Sequence, residues 1–139
     1  MADYAKLLET ANEARKNSYC PYSGFAVGAA LLATDGTVYT GVNVENASYV
    51  ATNCAERTAV FKAVADGRRK GDLVAIAIAG GPKDGSPVPC PPCGICRQVL
   101  SEFADASTFT VLWVTEITDG DMAFEKHTLS ELLPGAFEL

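Results

Sequence analysis

Cys93 and Cys96 stand in Pro92-Cys93-Gly94-Ile95-Cys96, a two-residue spacing that lets one turn offer two sulfurs to a single tetrahedral ion. The same spacing serves thiol–disulfide redox pairs, and a structural zinc ribbon would use it twice, but the chain carries no second, separate pair, since Cys90-Pro91-Pro92-Cys93 shares Cys93 with the first. It carries instead a lone Cys54 upstream, followed two residues later by Glu56. Three thiolates leave one corner of a tetrahedral zinc open, and an open corner separates a catalytic centre from a closed structural one. Water would sit there, and a carboxylate beside it can take a proton and pass it on, general acid–base work contributing about 10²–10⁴ in rate. Glu56 is the candidate for that work. The competing reading is a capping box, Asn53-Cys54-Ala55-Glu56, in which Glu56 merely bonds back to the start of a helix. The downstream cysteines weigh against it.

Three thiolates make the surroundings of the ion net negative, so something must offset the charge. Helices starting at Cys54 and at Cys93 would aim their positive N-terminal ends at the ion. Arg57 and Arg97 could donate hydrogen bonds to the sulfurs, the alternative for each being a solvated charge on a helix surface. Cys90 lies three residues before Cys93 with two prolines between, an awkward ligand and a spectator in this reading. Cys20 reads as a small buried hydrophobe, and His127, the single histidine, receives no ligand role.

The elements that must position these groups follow from periodicity. Tyr4, Leu7, Leu8, Ala11 and Ala14 recur at helical spacing behind Asp3, a suitable N-cap. Phe25 to Ala33 and Thr37 to Val42 flank Asp35-Gly36 and read as a β-hairpin. Asn53 caps a helix from Cys54 to about Ala65, stopped at Asp66-Gly67. The apolar run Leu73 to Ala79 is a buried strand reached by a parallel crossover, and a Pro-rich loop from Pro82 to Pro92 leads into a helix over about Gly94 to Phe103. Phe109 to Thr115 is a strand, Asp119-Gly120 turns an edge strand near Met122 to Lys126, and Thr128 with Glu131 caps a last helical turn. The sum is a three-layer α/β/α sandwich with a five-stranded mixed sheet, one domain over residues 1–139.

Composition excludes several classes. The 139 residues are 48% hydrophobic and 20% charged, which argues against disorder. Eleven Lys+Arg against seventeen Asp+Glu give a formal charge of −6, the wrong sign for gripping many phosphates, so no nucleic-acid partner is expected. No apolar stretch approaches the ~20 residues of a membrane span, and no basic start followed by an apolar block marks export. A cytoplasmic address is the expectation.

Cys54-Ala55-Glu56 with Pro92-Cys93-Gly94-Ile95-Cys96 resembles the zinc deaminase signature. Cys20-Pro21-Tyr22-Ser23-Gly24-Phe25, Gly41 to Tyr49, and Leu132 to Phe137 extend the resemblance to the small cytidine deaminases over nearly the whole chain. That resemblance implies that Cys54, Cys93 and Cys96 hold one Zn2+ per subunit, and that Glu56 shuttles protons. It also implies that Asn43 and Glu45 hold ribose hydroxyls, that Ala55 offers its backbone to the base, and that Phe25 stacks on the pyrimidine. Ala47, Tyr49 and Phe137 would reach into the pocket of a neighbouring subunit of a homotetramer. Asn43 and Glu45 have a reading of their own. Residues two apart on an extended segment share a face and can grip vicinal hydroxyls together, the alternative being a strand end facing water. Phe25 and Phe137 could equally be ordinary packing aromatics.

The expected reaction is hydrolytic deamination of cytidine and 2′-deoxycytidine in pyrimidine salvage. Its rivals are a deaminase of another aminated nucleoside such as blasticidin S, and a non-catalytic zinc module. Ribo- versus deoxyribonucleoside preference and the roles of Cys90 and Arg97 are not legible in the sequence.

Overall fold

The computed structural model describes residues 3–139. Helix α1 (Tyr4–Ala14) is capped by Asp3, whose carboxylate accepts from the Lys6 amide, and its buried face is Leu7, Leu8 and Ala11. Strands β1 (Phe25–Ala33) and β2 (Val38–Val42) form the expected antiparallel hairpin. Helix α2 (Ala55–Ala65), strand β3 (Leu73–Pro82), helix α3 (Gly94–Phe103), strand β4 (Thr110–Thr118), strand β5 (Asp121–Thr128) and helix α4 (Leu129–Leu132) follow. Asp119 and Gly120 both take positive φ at the β4–β5 hairpin, and the Thr128–Glu131 capping box is present. Among the described residues no helix is long and apolar enough to cross a membrane.

The sheet order is β2-β1-β3-β4-β5. Because successive side chains of a strand face opposite sides, the core divides into two layers. Ala30, Ala75, Ala77, Ala79, Leu112 and Val114 meet α1 on one face. Ala29, Leu31, Ile76, Ile78, Val111 and Trp113 meet α2 and α3 on the other. Small residues let the helices approach closely. A Cβ on Gly28 would lie 2.0 Å from the Ala11 carbonyl oxygen in α1, and one on Gly41 would lie 2.3 Å from the Ala55 carbonyl oxygen in α2.

The parallel crossover into β3 is present with one addition, and the Asn53 cap needs correction. The crossover carried by α2 joins β2 to β3, which run the same way, but β1 is inserted between them and is antiparallel to both. The hydrogen-bonded parallel pair is β3–β4, joined through α3. Asn53 is not the cap of α2. Its amide and carbonyl exchange 2.9 Å hydrogen bonds with Val44, which keeps it extended and makes Cys54 the N-cap.

The topology determines where the chemistry falls. Helix α2 follows β2 and α3 follows β3, and these strands are parallel to each other, so both helices begin at the same end of the sheet. Residues at the two helix starts, 39 positions apart in the chain, therefore meet outside the carboxyl ends of the strands.

Candidate metal and active site

Cys54 and Cys93 are the N-caps of α2 and α3, both extended, and neither side chain caps its own helix. A Ser, Asp or Asn at these positions would turn inward to the first-turn amides; the sulfurs instead project from two positively polarised helix ends. Cys54 Sγ lies 3.9 Å from Cys93 Sγ, Cys93 Sγ lies 3.6 Å from Cys96 Sγ, and all three sulfurs fall within 4.8 Å of one another. A tetrahedral zinc with bonds of about 2.3 Å requires sulfurs about 3.8 Å apart. The donor set and its spacing fit that ion, with three protein ligands.

Arg57 supplies the expected countercharge. Its Nη2 donates to Cys54 Sγ at 3.3 Å. The hydrogen bond with Cys96 and the Arg57 guanidinium hold the Cys54 thiol down at about 5, against the opposing effect of burial. Cys96 moves the other way, pushed up by that same hydrogen bond and by burial. A divalent cation would reverse this by displacing the remaining protons.

Glu56 is 5% exposed and sits in the first turn of α2, one residue from each of Ala55 and Arg57. Burial, with the Cys54 charge adding to it, lifts its carboxyl to about 7. The capping-box alternative fails because the Asn53 amide is spent on Val44. A buried carboxyl of this kind, poised near neutrality beside the sulfurs, is suited to moving protons in both directions.

Arg97 is not on the sulfurs. Its Nε donates to the Pro92 carbonyl and its Nη1 to the Leu132 carbonyl, each at 2.8 Å, so it fastens the loop before α3 to the end of α4. Cys90 lies outside the sulfur cluster. Burial pushes its thiol up to about 12, with the charges of Glu56 and Cys54 contributing. It packs beside Gly80 and the Phe25 ring; a Cβ on Gly80 would lie 2.6 Å from Cys90 Sγ and 3.1 Å from Phe25 Cε2. Gly80 thus keeps room for both side chains, a role invisible in the sequence. His127 instead stacks on Trp113, with ring centroids 5.0 Å apart.

The nucleoside-binding candidates divide into three groups. Phe25 begins β1, half-buried, and Ala55 is fully buried at the start of α2. Asn43 is 9% exposed with its amide occupied: Nδ2 donates to the Phe25 carbonyl at 2.8 Å, and Oδ1 accepts from the Val27 amide at 2.9 Å and from the Ser18 hydroxyl. It laces β1 to the end of β2, leaving one N–H for another partner. Glu45 lines a cavity of about 350 Å³ with Tyr22, Ser23, Tyr49 and Thr52, within the size range of small-molecule sites. A larger groove of about 830 Å³ beside α1 contains none of these groups. Finally, Ala47 is exposed, Tyr49 is 75% exposed and Phe137 is 67% exposed, the last tied by its carbonyl to Gln98 Nε2 at 3.0 Å.

Comparison with known proteins agrees with this geometry. The family described as the cytidine and deoxycytidylate deaminase zinc-binding region matches residues 1–112. The chain is 52% identical over 135 residues to the cytidine deaminase of Halalkalibacterium halodurans, covering 97% of this chain and 94% of that protein. It is 40% identical over 137 residues to a cytidine deaminase of Mycobacterium tuberculosis, covering 99% and 91%. Among solved structures, the crystal structure of cytidine deaminase from Burkholderia pseudomallei is similar at 46% identity and a TM-score of 0.81, covering 99% of this chain and 100% of that one.

Proposed function

The chain belongs to the cytidine and deoxycytidylate deaminase family, and from that premise we propose that it deaminates cytidine and 2′-deoxycytidine to the uridine nucleosides, releasing ammonia, in pyrimidine salvage in the cytoplasm. The observation that carries this reading is the convergence of Cys54, Cys93 and Cys96 beside the buried carboxyl of Glu56. Held by the three thiolates, zinc supplies a Lewis acid that lowers the pKa of water to near neutrality. The remaining work falls to the chain. Glu56 would take a proton on its carboxylate as water adds at C4 and deliver it to the pyrimidine N3; it would then take the proton of the new C4 hydroxyl and pass it to the amino group, so that the C4–N bond breaks, the carbonyl forms and ammonia leaves. One group thus acts as base and acid in turn, for which a carboxyl near 7 is suited.

In this reading Arg57 keeps Cys54 ionised, Ala55 presents its backbone to the base, and Phe25 stacks on the ring. Glu45, with the remaining N–H of Asn43, holds the sugar hydroxyls. The protein works as a homotetramer in which Ala47, Tyr49 and Phe137 complete a neighbouring pocket. The exposure of Tyr49 at 75%, Val50 at 98% and Phe137 at 67% supports sharing, since apolar side chains this open are the kind a second copy would cover.

A spectrophotometric assay with cytidine, 2′-deoxycytidine and blasticidin S tests the substrate class. Loss of the cytidine absorbance with matching ammonia release is the expected result. Turnover of blasticidin S alone, or of none of the three by zinc-loaded protein, would refute the proposal.

A further inference from the structure

The segment Tyr22-Ser23-Gly24-Phe25 does more than lead into β1. The amides of Tyr22 and Ser23 donate to Glu45 Oε1 at 3.0 and 3.1 Å, and the Ser23 hydroxyl donates to the other carboxylate oxygen, Oε2. The same hydroxyl oxygen accepts from the Phe25 amide at 3.0 Å. A hydroxyl has one proton to give and lone pairs to receive, so this one atom joins Glu45, which lines the cavity, to the backbone of Phe25 in a single directed chain. Gly24 makes the connection possible. It holds φ at 67° and donates to the Cys20 carbonyl at 2.9 Å, folding the segment back over Glu45.

From this geometry we propose that Ser23 is a positioning residue for sugar recognition, orienting the Glu45 carboxylate and tying it to the backbone of Phe25. The proposal rests on the functional reading above, in which Glu45 meets the sugar and Phe25 the base. Three of the carboxylate's roughly four acceptor positions are filled by the cradle, which leaves one, on Oε2, available to a sugar hydroxyl. A carboxylate on a solvated strand end would otherwise sample several rotamers and lose side-chain entropy each time substrate bound. The cradle removes that loss before binding. The Ser23 hydrogen bonds also hold the Glu45 carboxyl below its ordinary range, so it remains ionised and acceptor-only.

The test is steady-state kinetics of the zinc-loaded enzyme on cytidine and on 2′,3′-dideoxycytidine, which lacks both ring hydroxyls. Wild type, Ser23→Ala, Ser23→Thr, Glu45→Ala and the Ser23→Ala/Glu45→Ala double variant are compared. Ser23→Ala is expected to raise KM for cytidine about tenfold with kcat within about threefold of wild type. Ser23→Thr, which keeps the hydroxyl, is expected to restore KM. On dideoxycytidine the Ser23→Ala effect should shrink to less than about twofold, and in the Glu45→Ala background Ser23→Ala should add nothing on either substrate. An equal loss on both substrates, an undiminished effect in the Glu45→Ala background, or unchanged kinetics on cytidine would each overturn the proposal. Glu45→Ala that behaves as wild type on cytidine would instead remove the sugar role of Glu45 itself, and wild-type protein inert toward cytidine would remove the functional reading. Both results end the proposal, and each is distinguishable from a failure at Ser23 alone.

Discussion

At the residue scale the site is an arrangement of charges that depend on one another. Glu56 is lifted to about 7 by burial, and Cys54 is brought to about 5 by Cys96 and Arg57, so the acid and its neighbouring thiolate are tuned in opposite directions within one turn of helix. Glu56→Gln preserves the shape and removes the group that takes up and gives back a proton. Its kcat on cytidine should fall by about 10²–10⁴ with zinc content unchanged, and near-normal turnover would refute the assignment. Arg57→Ala leaves Cys54 without its 3.3 Å donor and should weaken zinc retention by about 10–100-fold in a chelator competition. If zinc is held as tightly as in wild type, Arg57 is a surface charge after all. The candidate ligands and Glu56 were legible in the sequence from the two-residue spacing of Cys93 and Cys96, the company of Cys54 and Glu56 upstream, and the resemblance to the zinc deaminases. The amide network of Asn43 and the loop-fastening of Arg97 were not, since their partners are backbone carbonyls that only the folded chain brings near.

At the element scale the site depends on how closely α2 lies on the sheet. Gly41 allows it: a methyl there would collide with the Ala55 carbonyl at 2.3 Å and the Ala59 amide at 2.5 Å, in the turn that carries Cys54 and Glu56. Gly41→Ala should cost about 1–3 kcal/mol or more of stability and also loosen zinc. Gly28→Ala, which forces α1 from the opposite face, should destabilise without a comparable zinc effect; thermal melts with metal analysis separate the two. The β1–β2 hairpin carries a pH-sensitive tie of its own. Arg68, with the Thr37 amide helping, holds Asp35 down at about 2. The folded value lies below the unfolded ~3.9, so this contribution is complete above about pH 4 and disappears as pH falls through 2. Asp35→Asn should flatten that part of the acid-unfolding curve slightly, the carboxylate being solvent-exposed, and an unchanged curve would show the tie contributes nothing. The hairpin, the α3 bounds and the α4 capping box were readable from local patterns. The insertion of β1 between β2 and β3 was not, nor the displaced cap at Cys54, because both follow from pairings between distant segments.

At the scale of the whole molecule, one end of the sheet gathers the sulfurs while α1 packs on the face opposite α2 and α3. The same molecule leaves Val50 98% exposed and Phe137 67% exposed, an arrangement that fits closure by other copies of the chain. If the pocket is completed in that way, specific activity should fall on dilution in step with dissociation seen by sedimentation. Concentration-independent turnover by a stable monomer would contradict shared sites.

The central claim is that three thiolates of this chain hold the ion on which cytidine deamination depends. It is tested most directly by measuring zinc per chain and cytidine turnover on the same samples as chelator removes the metal and added zinc restores it. Activity rising in proportion to zinc and levelling at one ion per chain is the predicted result. Full turnover in metal-free protein, or stoichiometric zinc with no turnover of cytidine, would contradict it.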